Sequence, residues 1–176
     1  MKSKSLIVIF TSIIGMFLFI GCNELNNSSG KRIGNSLPDS LKNIKAKVEA
    51  INQLMEEAIM KEDFESQLGY MTDDVIIDSP FEPPVCGKDT LSRIFKKNKA
   101  SGYKVRSFSG RMEKLWTCGD RVYERGTWGL SYTTSSHKNP MAAYGSYFQI
   151  WSVLPDSALK IEYVIYTLDH NPFQND

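Results

Sequence analysis

Tyr144-Gly-Ser-Tyr-Phe-Gln-Ile-Trp-Ser-Val-Leu154 carries apolar or aromatic residues on both sides of an extended chain. Side chains alternate along a strand, so Gly145, Tyr147, Gln149, Trp151 and Val153 share one face and Ser146, Phe148, Ile150, Ser152 and Leu154 the other. A strand with apolar residues on both faces belongs in the middle of a sheet. The same period of two extends outward from it. Tyr103 to Thr117 reads as one strand, Cys118-Gly119-Asp120 as a turn and Arg121 to Thr133 as the hairpin partner. After a polar loop from Ser135 to Pro140, Met141 to Leu154 and Ala158 to Leu168 make a second hairpin about Pro155-Asp156.

Upstream the period changes to that of a helix. Leu41, Ile44, Val48, Ile51, Met55 and Ile59 recur at steps of three and four, with Lys42, Lys45, Lys47, Glu49 and Glu56 off that stripe. One long amphipathic helix is expected from near Ser36, with Ser36 and Asp39 at capping-box spacing and Pro38 in the first turn. Its stripe exceeds what a short second helix covers, so it must lie across a sheet. Glu62-Asp63 interrupts the pattern, and Asp63 caps a second helix bearing Phe64, Leu68 and Met71. Val75 to Asp78 is a short strand. Ser79 to Pro84 holds three prolines and has no regular structure. A third helix follows Gly87, with Asp89 as its cap and Leu91, Ile94 and Phe95 facing inward. The order reads as α+β, with helices on one face of a curved, mainly antiparallel sheet.

The first residues look like an export signal. Lys2 and Lys4 precede an apolar run from Leu6 to Ile20 that is short for a membrane span, then Gly21-Cys22. Phe19-Ile-Gly-Cys22 resembles the cleavage motif of a bacterial lipoprotein, which implies that 1–21 is removed and Cys22 is lipidated, anchoring the chain to a membrane. Asn23 after the cysteine favours the outer over the inner membrane by the same resemblance, facing the periplasm or the cell surface. Residues 22–35, rich in Asn, Ser and Gly, form a flexible tether, and 36–176 the folded domain.

Loss of Lys2 and Lys4 takes the formal charge from +1 to −1. Nothing then favours a nucleic-acid partner, whose backbone demands clustered cations. Lys96-Lys97-Asn98-Lys99 closes the third helix, where cations favour the helix dipole. The two histidines, His137 and His170, have no second ligand at metal spacing, so no metal is expected. No cofactor motif is present either. Cys86 and Cys118 both lie in turns or loops; they either pair or stay free thiols.

Glu62-Asp63-Phe64, Tyr70-Met-Thr-Asp-Asp74 running into a strand, Ser79-Pro80 followed by Gly87, Tyr123-Glu-Arg-Gly-Thr-Trp128 and Gly145-Ser-Tyr-Phe-Gln-Ile-Trp151 occur in an order that resembles the nuclear transport factor 2-like superfamily, within it the SnoaL-like and ketosteroid isomerase-like group. The resemblance spans Leu41 to Leu168. It implies a cone in which the sheet curls around three N-terminal helices and encloses a cavity, often with dimerisation through the outer face. It does not carry over the isomerase chemistry. The position of that group's catalytic Asp holds Ser79, the position of its oxyanion-donating Tyr holds Met55, and an inward Asp of SnoaL-like relatives is matched by Val164. Asp78, next to Ser79, points to the opposite face of a regular strand and reads as a solvated or loop-bonding carboxylate.

The pocket residues expected on this basis are Met55, Tyr70, Ser79, Trp116, Glu124, Trp128 and Tyr147. Glu124 stands mid-strand on the face of Val122 and Trp128. It faces either water or a polar partner such as Arg111 or a tyrosine hydroxyl, because a buried carboxylate needs pairing. The functional expectation is a lipid-anchored domain that binds a small apolar or amphipathic molecule without catalysis and forms a homodimer. The alternatives are an isomerase, dehydratase or hydrolase using Glu124 with a tyrosine, and a structural dimerisation module.

Overall fold

A computed structural model describes residues 39–169 of the chain. The signal 1–21, Cys22 with the tether 22–35, Ser36 of the expected cap and His170 lie outside the described residues. The elements run α1 (Asp39–Met60), α2 (Phe64–Gly69), β1 (Met71–Asp78), β2 (Val85–Cys86), α3 (Lys88–Ala100), β3 (Lys104–Cys118), β4 (Arg121–Thr133), β5 (Met141–Val153) and β6 (Leu159–Tyr166). One six-stranded, unclosed sheet has the order β2-β1-β6-β5-β4-β3. β5 is interior, between β4 and β6, as its two apolar faces require. Every pairing is antiparallel except β1 with β6. The fold is α+β, with the three helices on the concave side.

The core lies between helices and sheet. Val48 of α1, Val75 of β1, Leu91 of α3, Val122 of β4, Trp151 of β5 and Val164 of β6 are buried together. Each such side chain contributes roughly 1.5–3 kcal/mol by leaving water. Helix α1 ends where Glu62 takes a left-handed conformation (φ 54°), and the Glu62 carboxylate then accepts from Lys104 Nζ at 2.9 Å and the Val105 amide at 3.2 Å. The break between α1 and α2 is therefore tied to the first residues of β3. Asp63 caps α2 by accepting from the Ser66 hydroxyl and the Ser66 amide, and these two bonds, the hydroxyl's first, hold its carboxyl below the usual range.

Three local expectations need correction. Met71 belongs to β1, not to the second helix, because α2 ends at Gly69 and the Tyr70 carbonyl accepts from Ile161 of the neighbouring strand. β1 thus starts before Val75 and absorbs Thr72, Asp73 and Asp74. At α3 the capping position is Gly87, with φ 79° and no side-chain cap, and Asp89 lies inside the first turn. Gly87 holds that place because its amide donates to Val75 in β1 while its carbonyl starts the helix at Leu91. Cys86 is a free, exposed thiol, so no bridge joins it to Cys118.

Candidate functional site

Four donors converge on Glu124, which is wholly buried. Asn52 Nδ2 and the Tyr147 hydroxyl donate to Oε1 at 2.7 and 2.5 Å; Gln149 Nε2 and Trp151 Nε1 donate to Oε2 at 2.7 and 3.0 Å. Strand pleating assembles this cage. Tyr147, Gln149 and Trp151 alternate on the inner face of β5, and Gln149 pairs in register with Glu124 on β4. Asn52 closes the cage from α1, one turn after the buried Val48. A carboxylate offers about four lone-pair sites, and four donors fill them.

Beside the cage is a cavity of about 280 Å³ between α1, α3 and the sheet. Its wall is largely apolar and aromatic: Met55, Ile59, Met71, Ile77, Leu91, Phe95, Phe108, Trp128, Ile161, Val164 and Tyr166. Asn52, Glu56, Gln67, Tyr147 and Gln149 supply its polar groups. An outer vestibule of about 740 Å³ shares Ile59, Gln67, Phe108, Trp128 and Tyr166 with it and opens past Ser79, Tyr103 and Tyr132. Trp128 stands where the two meet. Its Nε1 donates to the Ser146 carbonyl at 3.2 Å and its ring meets Tyr166 edge-on, with centroids 5.5 Å apart.

The tyrosine hydroxyls are poor acids here and hold their protons. Burial first, then the Glu124 charge, push Tyr147 far above the ordinary tyrosine range, and the same two causes push Tyr166 up to about 12. Both stay protonated at neutral pH.

Of the expected pocket residues, Met55, Trp128 and Tyr147 line the cavity. Ser79 is at the rim of the vestibule, and Glu124 sits behind the wall, reached only through Asn52, Tyr147 and Gln149. Trp116 is on the other side of the sheet. It stacks on Tyr123 and Phe148, because β3 bulges between Met112 and Lys114; Met112 points inward, and the extra residue turns Leu115 inward and Trp116 outward. Tyr70 does not line the cavity either, since it caps α2 and the next residue, Met71, is the one turned inward. Arg111 is not the partner of Glu124; it lies on the outer face with Glu113 at 3.2 Å. Asp78 also points outward and accepts from the Tyr163 hydroxyl. Val164 is inward and buried. Asn52, Glu56, Gln67, Gln149 and Tyr166 were not foreseen. For Asn52 and Glu56 the signal was present, as both lie within one helical turn of Met55. Among the described residues no group of three His, Cys, Asp or Glu stands together as a metal site.

The architecture and its cavity define the class: this is the nuclear transport factor 2-like (NTF2-like) fold. The solved structures it resembles include a ketosteroid isomerase-like protein from Erwinia carotovora atroseptica (15% identity, 72% of this chain and 96% of that one, TM-score 0.63). An NTF2-like protein from Cytophaga hutchinsonii (17%, 70% and 97%, TM-score 0.59) and a conserved protein from Planctomyces limnophilus (17%, 72% and 98%, TM-score 0.64) share the fold at similar distance. No protein-family model matches the chain, and no curated protein matches it.

Proposed function

We propose that the protein is a lipid-anchored envelope protein whose cavity binds a small apolar or amphipathic molecule without transforming it. One observation carries the preference for binding over turnover. Glu124, the buried carboxylate of the site, has all its lone pairs occupied, and the tyrosine hydroxyl beside it is spent on that carboxylate. An acid or base must reach the proton it moves, and Glu124 does not reach the cavity. What remains is a mainly aromatic and aliphatic wall, with Glu56 and three side-chain amides as its polar groups and no described tyrosine or histidine paired with Glu56 as an acid–base couple, suited to enclosing a ligand. Anchoring rests on the sequence around Cys22, and self-association on the aromatic outer face of the sheet.

Uptake of the fluorescent probe N-phenyl-1-naphthylamine by the full chain tests the pocket. Trp128→Ala is expected to weaken it by about 2 kcal/mol, the loss expected when a central aromatic anchor is truncated. A variant that binds as tightly as the parent would remove Trp128, and with it this cavity, from the proposal. For the anchor, Cys22→Ala is expected to release the protein from the membrane fraction or to leave an uncleaved precursor. Parent protein that is recovered soluble and unacylated from cells would refute it.

A further inference from the structure

The polar lining of the cavity is mostly acceptor in character. A carboxylate takes only donors, so Glu124 fixes the amides of Asn52 and Gln149 with nitrogen toward itself and carbonyl oxygen away. Gln67 is oriented in the same manner, its Nε2 donating to the Ala58 carbonyl at 3.3 Å. The three carbonyl oxygens accept no hydrogen bond from the described residues. Nor are they sealed in: among the described residues Thr72 Oγ1, outside this cavity, is the sole fully buried side-chain polar atom that lacks a partner. All three residues line the cavity.

Glu56 adds charge to this surface. It lies one turn after Asn52 on the same face of α1, lines the cavity, and makes no hydrogen bond or ion pair among the described residues. No Lys, Arg or His lines the cavity to balance it. Of the donors nearby, Tyr147 is engaged on Glu124 and Trp128 Nε1 on Ser146, which leaves the neutral Tyr166 hydroxyl as the one donor among the lining rings without a partner among the described residues. A ligand presenting an anion or only acceptors would leave these oxygens desolvated and unpaired, which is costly.

We propose that the ligand carries a primary ammonium group on an apolar body. Glu56 is its counter-ion, and the carbonyl oxygens of Asn52, Gln67 and Gln149 take its N–H donors. Phe95, Phe108 and Trp128 enclose the body, and aromatic faces also favour a cation. The inference rests on the cavity being a binding site, and it names the ligand's chemistry.

Calorimetric titration of the full chain with octylamine, octanol, octanoate and octyltrimethylammonium near neutral pH tests it, since the four probes share one tail. Octylamine is expected to bind roughly tenfold tighter than octanol, because hydrogen bonds to charged groups are the stronger kind. Octanoate is expected to be weakest, and octyltrimethylammonium, which has the charge but no N–H, to fall below octylamine. Glu56→Gln should close the gap between octylamine and octanol. Octanoate binding as well as octylamine, a gap unchanged in Glu56→Gln, or octyltrimethylammonium equal to octylamine would overturn the ammonium assignment while the apolar pocket stands. No uptake of any of the four would overturn the pocket itself.

Discussion

Gly126 lies directly across from Tyr147 on the neighbouring strand, and a Cβ at residue 126 would stand 2.6 Å from the tyrosine ring and 2.3 Å from the Arg111 carbonyl. The bare backbone at 126 is what lets the ring cross β4 and deliver its hydroxyl to Glu124. Gly126→Ala is therefore expected to displace the ring and destabilise the fold by about 1–3 kcal/mol, the usual cost of overpacking. The two residues should also couple in a double-mutant cycle read by urea unfolding: Tyr147→Phe should cost less in the Gly126→Ala background than in the parent. An equal cost in both would show that the ring does not move.

Glu124→Gln looks conservative in sequence and is not so in this cage. The carboxamide has one acceptor oxygen, so its NH₂ must face two of the donors that now meet Glu124. Leaving buried donors unpaired costs about 1–3 kcal/mol each. A fall in unfolding free energy of about 2–4 kcal/mol is expected, measured by denaturant midpoint at constant slope. A change within about 0.5 kcal/mol, typical of surface substitutions, would dissolve the cage as a structural unit.

The buried tyrosines make an alkaline limit to stability. The folded state raises Tyr103 and Tyr166 from 10.0 to about 12, and Tyr147 further, so above the unfolded value the native protein holds protons that the unfolded chain releases. That contribution is complete below pH 10 and is lost as pH rises through the folded values. Urea midpoints should be flat with respect to these groups up to about pH 10 and decline steeply toward pH 12, with tyrosinate absorbance rising together with unfolding. Tyr166→Phe should shallow the decline. The same slope in that variant would mean that Tyr166 does not take part.

Periodicity alone makes most of the fold legible in the sequence. The switch from a 3.6 to a 2 period separates α1 from the four long strands, and the limits of β4 read from sequence match those of the strand. What it missed was set by contacts remote in sequence. Met71 looks helical beside Phe64 and Leu68, but the Tyr70 carbonyl is claimed by Ile161 ninety-one positions downstream, and the chain is already in β1. Trp116 was assigned inward because alternation has no way to register the bulge at Glu113, which arises from pairing with β4. The candidate site was half legible for a similar reason. Glu124 is marked by the oddity of a carboxylate in an apolar strand and Asn52 by its place one helical turn from Met55, whereas Gln149 is an ordinary surface residue type whose burial only the packed fold reveals. Glu56 was placed off the apolar stripe. It lines the cavity because α1 faces a hollow there and not a filled core.

The outer face of the sheet gives the last expectation. Trp116, Tyr123 and Phe148 form a three-ring cluster with centroids 5.7 to 6.1 Å apart, and nearby Tyr144 and Ile165 are 50% and 37% exposed. All three helices lie on the opposite face, so no helix covers these rings, although the Lys114 ammonium sits over Trp116, 5.3 Å from the ring centroid. A monomer rarely leaves a contiguous apolar patch wider than a few hundred Å² in water, and a surface of this kind is self-complementary across a two-fold axis. A symmetric dimer through this face is therefore expected, with twice the chain's mass by light scattering at micromolar concentration. Phe148→Asp places a charge in the middle of the cluster and should yield monomers, because burying two unpaired carboxylates at the axis is unfavourable. Phe148 points away from the core, so the near-ultraviolet circular dichroism of the buried Trp151 should be retained in the variant, separating dissociation from unfolding. A monomeric parent, or a Phe148→Asp variant that stays dimeric with an intact fold, would exclude this face as the interface.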